Sequence, residues 1–361
     1  MPEVNAYVTN APKGGINFKK VQINDDEGNV TLRPVLTGIC GTDRGMVRGA
    51  LSFAYNPEGY AYEVIGHESL CEVIDSESEL FSKGDRVVPI VRRPGDCPNC
   101  RIGRPDNCSD GKKHEAGITG LHGFMRESFK EFDYNLVKVL DNSLGNVAVL
   151  TEPMKNVVKA FEVFDRIRTR FVFENERSTF LGKHAVVIGT GSEAFLYAFT
   201  AVDYGFATHM INRHPIGPTE TKLCDTFGIE FIDSSKNPSF PENFKIDLLV
   251  DTSGDPGTIF KYIRQMNHNA IAILFGTNGK APSTEVSGED IDFIIERNIT
   301  LAGSVDAAMI HYLKGLDYLS KWNRRYDGIL NTMITKEFKP GDVDLFSKKP
   351  VGEIKSVIKW N

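Results

Sequence analysis

Three groups of residues bring together ligating or phosphate-binding features at short or ordered intervals. Cys97, Cys100 and Cys108 stand at C-x2-C-x7-C in a stretch rich in Gly, Pro and Asp. Thiols at such spacing match a tetrahedral zinc site, which thiolates hold well. Asp96, Asp110 and His114 are each near enough in sequence to complete it, and the spacing does not choose among them. A second group is dispersed: Cys40 and Thr42 in G-I-C-G-T-D (38–43), His67 and Glu68 after Gly66, and Glu152 between Thr151 and Pro153. A Cys, a His and a carboxylate can hold zinc with a fourth position open, the catalytic arrangement. Spacing alone does not reveal this site, because a lone Cys or His is more often a packing residue.

The third group is Gly189-Thr190-Gly191-Ser192-Glu193-Ala194, a G-x-G-x-x-A run directly after V-V-I and directly before a helical pattern. In that context Gly189 permits a tight turn and Gly191 lets the backbone approach a pyrophosphate. The small Ala194 allows close helix–strand packing. The free N–H groups of the helix N-terminus then face the phosphates. About twenty residues on, a second apolar run ends in Asn212-Arg213-His214. An acid there would hold a ribose 2′-OH. A neutral residue followed by a guanidinium suits a 2′-phosphate instead, so NADP is expected in preference to NAD.

These groups need elements to position them. The first half reads as short strands, with candidates at 30–36, 69–74 and 85–90, and as loops at 38–45 and 95–123. Near residue 150 the texture changes. Thr151 reads as a cap, with Glu152 and Pro153 in the first turn of a helix running past Phe164. A charged stretch, 165–177, follows. Apolar runs at 185–188, 208–211, 246–250, 270–275 and 299–303 then alternate with helical patterns at 192–204 and 220–227. Buried strands alternating with helices predict a doubly wound parallel sheet. From 309 the texture is mixed and ends in an alternating strand, 354–360.

Composition narrows the function classes. The chain has 361 residues, enough for two or three domains by the usual prior. Hydrophobic residues make up 41% and charged residues 25%, an ordinary globular balance. A formal net charge of -6 offers no basic excess for nucleic acid. Apolar runs such as 270–275 fall short of the ~18 residues of a membrane span. The N-terminal residues lack a basic then apolar pattern, so a cytoplasmic location is expected. Six cysteines are too few for a disulfide scaffold, and Cys71 and Cys224 read as packing thiols.

C-G-T-D, G-H-E, G-D-R-V (84–87), the cysteine lobe and the G-x-G-x-x-A fold, in that order along the whole chain, resemble the zinc-dependent medium-chain dehydrogenase/reductase family. Four further stretches look most like the archaeal-type glucose 1-dehydrogenases. They are A-P-K-G-G (11–15), A-L-S-F-A-Y-N-P-E-G (50–59), K-H-E-A-G-I-T-G-L-H-G-F-M-R (113–126) and G-E-I-K (352–355). The resemblance implies a GroES-like, mostly β catalytic domain from 1–155 and 308–361, with a Rossmann domain from 156–307. It implies a homotetramer, two zinc ions per subunit, and NAD(P)-dependent oxidation of β-D-glucose at C1 to the lactone. Galactose would be a second substrate, and the product would feed a non-phosphorylated Entner–Doudoroff route.

By the same resemblance Cys40, His67 and Glu152 sit at catalytic-zinc positions, directly or through a water, with Glu68 a carboxylate in or just behind the ligand set. Thr42 would touch the reacting hydroxyl, and Glu115 and Asn156 would hold sugar hydroxyls. Ser192, Glu193, Ala194, Asn212, Arg213, His214, Phe275, Gly276, Thr277, Ser304, Val305 and Asp306 would line the cofactor, Asp306 also reaching the sugar. The chain departs from the family at three places. Pro94 replaces the first of four lobe cysteines. Glu152 stands where many alcohol dehydrogenases carry Cys, and a harder ligand suits polyhydroxyl substrates. Gly45 stands where those enzymes carry a relay His. The rival readings are another zinc polyol or alcohol dehydrogenase, and a non-catalytic relative.

Overall fold

A computed structural model of the protein describes residues 3–24, 26–111, 114–170, 180–237, 240–278 and 281–360. Lys113 and residues 171–177 of the charged stretch lie outside the described residues. The chain divides into two compact units, Met1–Lys155 with Asp306–Asn361, and Asn156–Val305.

The first unit is mostly β. Its main sheet runs in the order Leu136–Lys138, Arg86–Pro89, Glu68–Ser76, Val30–Ile39, Lys355–Lys359, Ile334–Phe338, and Phe129–Glu131 adds to the edge of Val30–Ile39. The strand expected over 30–36 is therefore longer, and its last four residues are all buried. It is flanked antiparallel by Glu68–Ser76 on one side and by the C-terminal strand on the other. The register sets Gly38 opposite both Glu68 and Val357. A hairpin of Val4–Asn10 and Gly14–Val21 builds a second sheet with Glu63–Val64.

Three local expectations are corrected. Residues 38–45 are not all loop: Gly38 and Ile39 finish the strand, and Gly41–Val47 is a helix. Two glycines in that helix weaken it by ~1 kcal/mol each. Cys40 offsets this as N-cap, its N–H donating to the Asp43 carboxylate at 2.8 Å. Thr151 is helical (φ −63°, ψ −38°) rather than an extended cap, and its hydroxyl donates back to the Ala148 carbonyl. The mixed texture after 309 holds the helix Met309–Arg325, which buries Tyr312, Leu316, Leu319 and Trp322 along one face. Within 95–123, mostly loop, a helical turn forms at Pro98–Arg101 and short strands at His114–Ala116 and Gly120–Leu121.

The second unit is a six-stranded, wholly parallel sheet. Its order is Glu230–Asp233, Ala207–Asn212, His184–Ile188, Ile246–Asp251, Met266–Leu274, Thr300–Gly303. Counted within the unit this is 3-2-1-4-5-6, the doubly wound nucleotide-binding order. Val186, Leu249 and Ala272 are fully buried, as central parallel strands require. The order reverses between His184–Ile188 and Ile246–Asp251, and a ligand crevice is expected beyond their carboxyl ends.

Candidate active site

Cys40, His67 and Glu68 each place a ligand atom within 4.8 Å of the other two. The sheet register explains this. Cys40 leaves one strand, His67 and Glu68 enter its neighbour, and Gly38 lies across from Glu68. A Cβ on Gly38 would sit 2.1 Å from Glu68 Oε2, so glycine leaves the space that the carboxylate occupies. Sulfur, imidazole and carboxylate donors together suit zinc.

Asp43 ties the group together. One of its oxygens accepts the Cys40 N–H, and the other lies 3.4 Å from His67 Nδ1. A carboxylate behind a ligand imidazole fixes the ring and its tautomer. Burial disfavours the charged imidazole, but Asp43 and Cys40 outweigh it and hold the His67 pKa well above its usual value. A metal ion in this site displaces that proton. Glu68 is wholly buried, and Lys355 Nζ donates to both its oxygens at 2.7 Å. Two residues away, Glu353 accepts a two-pronged pair from Arg44 at 2.8 Å on each oxygen. The Thr42 N–H donates to Cys40 Sγ at 3.4 Å. Glu152 is not within the 4.8 Å grouping; its carboxylate pairs with Lys155 at 3.0 Å.

The lobe thiols Cys97, Cys100 and Cys108 form the other such group among the described residues. Cys97 and Cys100 sulfurs are 3.6 Å apart. The Gly95 N–H donates to Cys100 Sγ and the Ser109 N–H to Cys97 Sγ. The Ser109 and Cys100 backbone N–H groups, Ser109 first, bring the Cys97 thiol down to about 6. Burial and the adjacent Cys97 push Cys100 up to about 11, so a second thiolate needs a cation. Of the three candidates for a further ligand, Asp110 accepts from Cys108 Sγ at 3.0 Å. His114 faces the Tyr55 hydroxyl at 3.4 Å, and Asp96 is exposed.

Glu115 and Asp306 are brought together by Arg92, which pairs with both. Asn156 Oδ1 and Ser304 Oγ are buried without a hydrogen-bond partner.

In the second unit Gly189 follows the first strand at φ +118°, where a Cβ would meet Thr252 Oγ1 at 2.4 Å. Gly191 caps the helix Ser192–Tyr204, whose first N–H groups point out of the turn. Ser192 Oγ donates to Glu193 at 2.8 Å. The Asn212 amide donates to Thr190 Oγ1 at 3.0 Å and its oxygen accepts the Arg213 N–H, while Arg213 and His214 stay exposed. Across the crevice Asp251 accepts from the Ser253 N–H and Oγ and the Gly254 N–H. Its carbonyl takes the N–H groups of Phe275 and Gly276. Thr277 and Val305 are exposed. Spacing did not signal Asp43, Arg92, Asp251, Thr252 or Lys355. Each acts through a partner distant in sequence or through a turn, apart from the D-x-S-G turn signature at 251–254.

A GroES-like unit carrying a Cys–His–Glu group fit to hold a metal ion, joined in one chain to a doubly wound nucleotide-type unit, defines a medium-chain dehydrogenase. Residues 26–141 match the alcohol dehydrogenase GroES-like domain, and residues 145–360 match the glucose dehydrogenase C-terminus. The chain is 57% identical to a glucose 1-dehydrogenase of Thermoplasma acidophilum over 364 residues, covering 100% of both chains. It is 38% identical to one of Metallosphaera sedula, covering 99% of each. A solved structure of Haloferax mediterranei glucose dehydrogenase in complex with NADP, Zn and gluconolactone superposes with a TM-score of 0.85, at 23% identity and 99% coverage of each chain. The chain therefore belongs to the glucose dehydrogenase family.

Proposed function

We propose that the protein oxidises β-D-glucose at C1 to the aldonolactone, with NADP preferred over NAD, zinc at both cysteine-containing sites, and D-galactose as a second substrate. Assembly as a homotetramer belongs to the same reading. The observation that carries it is the Cys40–His67–Glu68 group, a half-buried thiol beside a buried imidazole and carboxylate, in a chain 57% identical, end to end, to a glucose 1-dehydrogenase.

Zinc held by Cys40, His67 and a carboxylate (Glu68, or Glu152 directly or through a water) would supply a Lewis acid that eases loss of the hydroxyl proton. Asp43 keeps the His67 ring oriented, and Lys355 keeps the Glu68 carboxylate in place. Thr42 takes the proton from the sugar O1 and passes it to a ribose hydroxyl or water, which fits a chain with Gly45 in place of a relay His. Glu115, Asn156 and Asp306 hold the other hydroxyls, and the C1 hydrogen leaves as hydride to the nicotinamide. The turn from Gly189 to Ala194 and the helix N-terminus hold the pyrophosphate. Asn212, Arg213 and His214 face the 2′-phosphate. Phe275, Gly276, Thr277, Ser304 and Val305 line the remainder.

A panel of aldoses, polyols and simple alcohols, each assayed with NAD and NADP, tests the reading. Glucose and galactose with NADP should give the highest kcat/KM. A polyol or simple alcohol that outperforms every aldose would overturn it.

A further inference from the structure

We propose that Arg92 is a positioning residue for the sugar: a buried guanidinium that clamps Glu115 and Asp306 into one rigid pair of hydrogen-bond acceptors. The inference deepens the proposed function and rests on it.

Arg92 lies in the two-residue strand Arg92–Arg93, in direct register with Glu115 of His114–Ala116. Directly opposed side chains on neighbouring strands meet, so the pairing is set by the backbone. Arg92 Nη2 donates to Glu115 Oε1 at 2.6 Å, and the same nitrogen pairs with Asp306 Oδ2. The other Glu115 oxygen accepts from Thr119 Oγ1 at 3.3 Å. Both carboxylates are thus fixed, although one comes from the lobe and the other from the far end of the chain. Asp306 holds a left-handed backbone, φ +67°, rare for a residue with a side chain. The ion pair to Arg92 helps to hold it there.

The chemistry follows from the charge count. Arg92 is only 4% exposed, and its Nη1 donates to the Pro105 carbonyl at 3.5 Å, so the cation faces protein groups rather than solvent. Two carboxylates on one guanidinium offer more acceptor lone pairs than its donors fill. Such a surface takes hydroxyl donors from a neutral polyol. The two N–H bonds of Nη2 lie in the rigid guanidinium plane and fix the direction of both acceptors, which a freely rotating lysine ammonium does not. Preset acceptors lower the ordering cost of sugar binding, so the effect belongs to the sugar KM more than to the cofactor.

The test uses the full-length holoenzyme with Arg92→Ala and Arg92→Lys. Glucose KM and kcat are measured at saturating NADP, and NADP KM at saturating glucose, with thermal melting alongside. Arg92→Ala should raise glucose KM about 10-fold or more and leave NADP KM nearly unchanged. Arg92→Lys should fall between it and wild type. Low-millimolar guanidinium should restore part of the glucose kcat/KM of Arg92→Ala, which a merely structural defect would not show. An unchanged glucose KM, or equal losses for glucose and NADP without guanidinium rescue, would overturn the proposal. If Arg92→Ala does not fold, Arg92→Lys decides on the same sugar KM. A wild-type enzyme inactive on glucose defeats the proposed function and this inference together. An active wild type with indifferent variants defeats this inference alone.

Discussion

Arg213 shows how one exposed side chain can set cofactor choice. It stands at the end of the second parallel strand, beside an Asn212 whose amide is already tied to Thr190. Removing its guanidinium in Arg213→Ala should cost NADP about 10- to 100-fold in kcat/KM, the scale of a charge-assisted bond, and leave NAD nearly untouched. Asn212→Asp should go further and favour NAD by repelling the phosphate. Equal losses for both cofactors would make Arg213 a general positioning residue. Glu63 offers a different test. It is fully buried, and burial, only partly offset by the Leu121 backbone N–H, pushes its pKa from 4.5 up to about 9. Above pH 4.5 the unfolded chain releases this proton and the folded chain keeps it. Stability should therefore fall as pH rises from 4.5 towards 9, by up to ~1.4 kcal/mol per unit, and level off beyond. Glu63→Gln, which mimics the neutral acid, should match wild type in melting at pH 4 and exceed it increasingly up to pH 8. A difference independent of pH would refute a neutral Glu63. Glu63 carries no signature in sequence, because it is defined by what surrounds it in space.

The C-terminal strand Lys355–Lys359 shows what an element contributes beyond its residues. It lies beside the strand leading to Cys40 and brings Lys355 to Glu68. Lys355→Met would take the ammonium away from a buried carboxylate, at a cost of about 3–5 kcal/mol. Thermal melting should show a large drop, and adding Glu68→Gln should recover most of it. A small effect would mean that Glu68 is neutral or compensated otherwise. This strand was readable from the alternation at 354–360, but its neighbour in the sheet was not, since pairing over more than 300 residues leaves no local trace. The parallel strands were legible because burial on both faces makes them continuous apolar runs. The helix Met309–Arg325 was not read, although Tyr312, Leu316, Leu319 and Trp322 carry its spacing, because polar residues between them dilute the signal. At 38–45 glycine content argued for a loop, while the Cys40–Asp43 cap and burial made a helix.

At the scale of the whole molecule the account requires two metal sites of different kind. Metal analysis after dialysis should find two zinc ions per chain, with Cys40→Ser and Cys100→Ser each losing one. Chelation should abolish activity before it unfolds the chain, because a catalytic zinc keeps an open position and a structural zinc does not. Full activity in a zinc-free preparation would rule the metal out of the reaction. The central claim, hydride transfer from sugar C1 to NADP, has its own direct measurement. Glucose deuterated at C1 is incubated with the enzyme and NADP, and the reduced cofactor is examined by mass spectrometry. The account predicts one deuterium per reduced nicotinamide and gluconolactone or gluconate as the co-product. Reduced cofactor without deuterium, or no reduction at all, would contradict it.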